Sequence, residues 1–301
     1  MTATLARIVP DGVRPWLGAV CISFSAVWVR LADVEPTRSA FLRAVYALPL
    51  LAILLAVRPA PQRRWLLPLG IVSGMLLGGD FLMWHRSIEI VGAGLGTVLP
   101  NLQVVVVGVL GVVLFGERPR ARFWVALPVV LTGVWLLGAV GTPLVAGSSF
   151  VAGIALGVLT AGLYAGALVV MRLARASNAD LVSTLWAITL GAAIVTAPAA
   201  VVEGVAAPAG WPADGWLVVL AVGSQVVGWL LLASSIHRLP AAATSVALLL
   251  QPVLALLWGA LLLAEPLGPP QVAGAAVVLT GVALAHHGTA RIPVATGPAT
   301  P

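Results

Sequence analysis

An all-α integral membrane protein, with ten transmembrane helices forming two inverted five-helix repeats, is the fold class this sequence predicts, and three observations predict it. The chain is 60% hydrophobic and 9% charged, whereas charged residues make up about 25% of a soluble domain. Its apolar residues gather into ten runs, each close to the ~20 residues that cross a bilayer core. When the chain is shifted by 148 positions, residues 102–136 lie without a gap over residues 250–284.

The runs are parted by segments carrying Pro, Gly and most of the charge, which is where helices stop. The first, 15–32, ends before "ADVEPTR". It lacks a small-x-small cleavage site, so it reads as an uncleaved helix, not a secretory signal. The second, 39–57, runs into "VRPAPQRR"; the third and fourth span 65–84 and 93–115, and "GERPRAR" precedes the fifth, 123–140. "GTPLVAGSS" leads into the sixth at 150–171, "RASNAD" into the seventh at 181–202 and "GWPADG" into the eighth at 215–236. "HRLP" precedes the ninth, 241–263, and "EPLGPP" the tenth, 271–287. Long, uniformly apolar runs imply helices, because barrel strands would alternate over about ten residues.

All sixteen basic residues are Arg. With the N-terminus inside, Arg7, Arg14, Arg58, Arg63, Arg64, Arg118, Arg120, Arg122, Arg172, Arg175, Arg238 and Arg291 fall on the inner side, against Arg30, Arg38 and Arg86 outside. This bias predicts a multi-pass protein of the cell membrane with both termini cytoplasmic. The net charge of +6 is therefore an orientation signal, and nucleic acid is not an expected partner, since no basic cluster is interleaved with aromatics. The lone Cys21 cannot form an internal disulfide.

The internal match pairs Gln103 with Gln251 and Glu117 with Glu265, and sets "VLTGV" at 130–134 on the same pentapeptide at 278–282. The expected domains are 1–141 and 150–287, followed by a polar tail at 288–301. Five helices is an odd number, so the second copy enters the membrane upside down. Inverted repeats are a recurring design of secondary transporters, with the substrate near the midplane. The paired helix ends "LFGERP" and "LLAEPL", each followed by a "VLTGV" helix, together with "SFSAVWVRLADVEPTRSAFLRAVYALPLL" from Ser23, resemble the EamA-type drug/metabolite transporter superfamily. The resemblance covers about residues 15–287. It implies a multi-pass carrier of small metabolites, often an exporter, with both halves around a central cavity.

Enzyme signatures are weak. "VGAGLGT" at 91–97 lacks the spacing and preceding strand of a dinucleotide fingerprint, and no GxxxxGK[ST] loop exists. "IVSGM" around Ser73 lacks the first glycine of a nucleophile elbow. His85, His237, His286 and His287 show no metal-ligand spacing. The chain is read as a non-enzyme without cofactor or metal; a membrane-embedded enzyme or a non-transporting structural membrane protein is the alternative.

Polar residues inside apolar runs carry the site expectation, because a charge at a helix centre costs about 2.5–3.5 kcal/mol on insertion scales. Asp80 and Arg43 stand at the same depth in helices of opposite direction and are expected to pair, either as a structural bridge or as a substrate or proton site. Gln103 and Gln251 lie near the bilayer centre, beside Asn101, Pro100 and Pro252, whose helix kinks free backbone carbonyls. Trp84, Trp28, Tyr164, Trp186 and Trp229 are the aromatic candidates for lining the cavity. Glu117 and Glu265 are expected to be structural, Glu117 pairing with Arg118, Arg120 or Arg122 or capping the next helix. The expected partners are thus a small-molecule substrate and the lipid bilayer, with a proton as the candidate coupling ion.

Overall fold

A computed structural model describes residues 9–57, 67–138, 148–177, 179–265 and 267–288, and every regular element among them is helical. The connection at 58–66 and the tail at 289–301 lie outside the described residues. The first span is split at Phe24 into α1 (Arg14–Ser23) and α2 (Ser25–Ala32). It is followed by α3 (Pro36–Val57), α4 (Leu67–Asn101), α5 (Gln103–Phe115) and α6 (Ala121–Gly138). The second half opens with α7 (Ser148–Ala176) and α8 (Leu181–Val202). Next come α9 (Ala213–Leu220), a π-helical segment (Ala221–Gly228) and α10 (Trp229–Ser235), which together form one span. It ends with α11 (Ala241–Leu248), α12 (Leu250–Leu263) and α13 (Pro269–Gly288). Among the described residues, eight spans are long and apolar enough to cross a membrane, and two shorter apolar helices, Leu99–Phe115 and Ala121–Leu137, add to them.

One boundary differs from expectation. The helix runs unbroken through the expected connection between the third and fourth spans, because nothing between Trp84 and Leu99 removes a backbone donor as Pro would. Its axis nonetheless turns back. A Cβ on Gly157 would meet Ser87 Oγ at 2.9 Å and Leu99 Cβ at 2.7 Å, whereas twelve residues of straight helix would separate those two by about 18 Å.

Helix packing is built on small residues, which lets backbones approach where the surrounding lipid offers no hydrophobic driving force. Along α4 and α8 the approach is parallel: a Cβ on Gly70 would meet Ala187, one on Gly74 the backbone of Ile188 and one on Gly78 that of Ala192. The opposite face of α4 runs antiparallel to α7, where Ser73 donates to the Ala167 carbonyl at 2.8 Å and Ser87 to that of Gly153 at 2.9 Å. The α6–α13 contact is antiparallel and self-complementary. A Cβ on Gly133 would meet Val278 N at 2.7 Å, and one on Gly281 would meet Val130 N at 3.0 Å. At the shift of 148, Gly133 corresponds to Gly281 and Val130 to Val278, so each contact is the image of the other.

Candidate functional site

Arg43 on α3 and Asp80 on α4 are both buried, at 9% and 8% exposure, and each is an electrostatic neighbour of the other and of Tyr164 on α7. The expected ion pair does not form: no nitrogen of Arg43 approaches an Asp80 oxygen within 4.0 Å. Equal depth fixes height along the membrane normal but not the direction a side chain takes around its helix. Asp80 makes no hydrogen bond among the described residues. Arg43 makes one, from Nη2 to Ser224 Oγ at 3.3 Å, while its Nε has no partner. Its guanidinium lies over the Phe81 ring, 4.9 Å from the centroid.

Trp229 and Gln251 stand beside Tyr164. Tyr164 meets Trp229 edge to face with ring centroids 6.4 Å apart, and Gln251 stands beside the Tyr164 hydroxyl with its Nε2 unpartnered. Gln103 is buried at 3% exposure, with Oε1 unpartnered. The helix breaks sit where the amides do. The ladder between α4 and α5 switches at Leu102, which bonds to Leu99 O, and between α11 and α12 at Leu249, which bonds to Val246 O. Asn101 is half-buried at the first break.

The other aromatic candidates have these surroundings. Trp28 stacks on Phe24 at 5.7 Å and lies against Gly223, the neighbour of Ser224 in sequence. Trp84 contacts His85, with rings 5.0 Å apart. Trp186 is partly buried and packs against the main apolar core, to which Trp229 belongs.

The sequence reading missed Phe81, Ser224 and Gln225. Gln225 is 1% exposed and donates to Thr189 Oγ1 at 3.3 Å. Its signal was present as a buried amide in "VGSQVVG", but no glutamine stands opposite it in the repeat.

The paired glutamates form matching backbone turns. Glu117 N donates to Gly111 O at 3.0 Å and Glu265 N to Gly259 O at 3.2 Å. The residue before each is left-handed, Gly116 at φ 63° and Ala264 at φ 53°, an arrangement that satisfies carbonyls at a helix C-terminus. The side chains then diverge. Glu117 is paired with Arg172 on α7 at 2.6 Å, with both side chains under a tenth exposed, and accepts the Ala241 amide at 3.0 and 2.9 Å. The Arg118, Arg120 and Arg122 pairing is therefore corrected: those side chains are exposed or at the surface, and the buried Arg172 is the counter-ion. The helix capped is α11, distant in sequence. Glu265 is half-exposed and, among the described residues, pairs with the exposed Arg30 at 4.0 Å.

The family model described as "EamA-like transporter family" matches residues 16–139 and 151–286. A protein of Sinorhizobium sp. described as "Uncharacterized transporter in cobO 3'region" is 25% identical over 130 residues, covering 40% of this chain and 91% of that protein. A crystal structure described only as that of a protein is similar in fold, with TM-score 0.77 and 16% identity over 91% of this chain and 96% of that one.

Proposed function

This chain belongs to the EamA-like transporter family, a multi-pass membrane transporter of the drug/metabolite superfamily, and from that premise we propose that it is a secondary carrier exporting small metabolites by alternating access. The observation that carries the site is the unmatched pair: Arg43 and Asp80 are buried and electrostatically adjacent, yet neither satisfies the other. A buried charge without a partner is costly, and a cargo with complementary groups would supply what each lacks. A carboxylate would go to Arg43, an ammonium or a coupling proton to Asp80, and an apolar body to Phe81, Tyr164 and Trp229. Gln251, Gln103 and Asn101 would offer hydrogen bonds at the helix breaks. α-Amino acids, their analogues and similar amphipathic metabolites fit this chemistry. Trp84, Trp28 and Trp186 are flanking candidates.

The architecture proposed is ten transmembrane helices in two inverted five-helix repeats. The self-complementary α6–α13 contact supports it, since an axis relating the halves within the membrane plane brings equivalent helices together antiparallel. The turn-back between Ser87 and Leu99 supports a separate fourth span. Both termini are proposed to be cytoplasmic in the cell membrane: reporters fused within 58–66 and before Ser148 should read inside and outside, and the reverse would refute the orientation. Transport is tested with purified protein in liposomes, by efflux and uptake over a metabolite panel with and without a pH gradient. Saturable, ion-responsive movement is expected, and movement no faster than in empty liposomes across the panel would refute the carrier reading.

A further inference from the structure

We propose that Ser224, in the π-helical segment Ala221–Gly228, is a positioning residue that aims Arg43 at the anionic group of the cargo. This rests on the reading of Arg43 given above. The guanidinium has a single hydrogen bond among the described residues, the one to Ser224 Oγ at 3.3 Å. Phe81 gives it a flat surface but no directional contact, so its aim depends on one hydroxyl.

That hydroxyl is itself oriented. Ser224 is fully buried and its Oγ lies 2.7 Å from Ser25 Oγ. Ser25 also lies 2.5 Å from the Ile22 carbonyl, which can only accept. A hydroxyl has one proton. If Ser25 gives its proton to Ile22, the bond between the two serines must carry the proton of Ser224. The lone pairs of Ser224 are then left facing Arg43. With Ser25 donating to Ile22, the chain runs one way: Arg43 to Ser224, Ser224 to Ser25, Ser25 to the carbonyl; with Ser25 donating to Ser224 instead, Ser224 still accepts from Arg43.

Two departures from regular helix place these groups. The first span breaks at Phe24, between the acceptor Ile22 and the hydroxyl of Ser25. Opposite it, the π segment changes the angle between successive side chains, and both Ser224 and Gln225 point inward, one to Arg43 and the other to Thr189. Single π turns inside α-helices are frequent at functional sites. Close approach of the two spans comes from Gly228, where a Cβ would meet Ile22 Cγ1 at 2.7 Å and Cys21 Cβ at 3.3 Å.

The test uses the full-length protein in liposomes with two probes, L-phenylalanine and its carboxamide, which differ in the carboxylate. Ser224→Ala should raise the KM for L-phenylalanine by about tenfold, the scale of a hydrogen bond to a charged group. The maximal rate should change less than twofold, the carboxamide should be unaffected, and Ser224→Thr should restore the parent KM. An unchanged KM, or equal losses for both probes, would overturn the proposal. A second measurement does not depend on the cargo: modification of Arg43 by phenylglyoxal, followed by mass spectrometry of its peptide. Ser224→Ala should speed modification of Arg43 several-fold, and Ser224→Thr should not. If the parent carries neither probe, the cargo reading fails by itself, while an unchanged rate of Arg43 modification overturns the role of Ser224.

Discussion

Removing the carboxylate of Glu117 should be far more damaging than removing that of Glu265, although the two are equivalent in the repeat. Glu117 and Arg172 form a 2.6 Å pair with side chains 7% and 9% exposed. Truncating one partner of a buried pair leaves an uncompensated charge and costs about 3–5 kcal/mol. Glu117→Ala also removes the acceptor of the Ala241 amide at the start of α11, a cap worth about 1 kcal/mol. Glu265 and Arg30 stand 4.0 Å apart with side chains 50% and 74% exposed, and exposed pairs contribute about 0–1 kcal/mol. Glu265→Ala should therefore cost less than about 1 kcal/mol.

The assay is reversible unfolding in mixed micelles, with Glu117→Ala, Arg172→Met and the double variant closing a cycle, and Glu265→Ala as the comparison. Strong coupling between Glu117 and Arg172 is expected, with the double variant recovering much of what either single change loses. Additive losses, or equal small losses for Glu117→Ala and Glu265→Ala, would refute the reasoning.

Exchanging Arg43→Asp with Asp80→Arg should leave transport lost, because the proposed site places each charge on its own helix; recovery of both transport and stability would mean that the two merely bridge α3 and α4. Gly74→Ala and Gly191→Ala should each cost about 1–3 kcal/mol by overpacking, since a Cβ on either would strike the backbone of the facing helix, while Gly162→Ala, with open space around it, should be neutral in the same unfolding assay. His237, between α10 and α11, has its imidazole pushed down to about 4 by burial and by the neighbouring Arg175, Arg238 and Arg172, with Asp11 opposing. Unfolded, it takes a proton near 6.5, so its contribution is complete above pH 6.5 and is lost as pH falls towards 4; His237→Gln should shrink the drop in melting temperature between pH 7 and pH 4.5, and an enlarged drop would refute this.

Span positions were legible because burial in lipid demands an unbroken apolar run. The expected 181–202 coincides with Leu181–Val202, and Asp180 caps that helix by accepting the Ser183 amide at 2.9 Å. The breaks at Leu102 and Leu249 fall where Pro100 and Pro252 flank the paired amides. Tertiary partners were not legible. Helical depth brought Arg43 and Asp80 to one level but left their azimuth open. The partner of Glu117 lies on another helix, past three arginines nearer in sequence. The π segment contains no Pro that would announce it, and without it the inward placement of both Ser224 and Gln225 could not be read.

The two glutamate turns separate what duplication preserves from what it leaves free. Gly111 and Gly259 stand at equivalent positions, and a Cβ on either would collide with the folded-back carboxylate, at 2.8 Å from Glu117 Oε2 and 2.5 Å from Glu265 Oε2. The left-handed residue, the bond from the Glu amide and the bare glycine are all local, so copying the segment copies the turn. What the carboxylate meets next is set by other helices: Arg172 and the Ala241 amide at one end, exposed Arg30 at the other. The same backbone device thus holds one helix end in a buried electrostatic contact and leaves its counterpart loosely tied. On the proposed reading of two inverted halves, these unequal ties at equivalent helix ends are a difference between the halves that the local turn does not set.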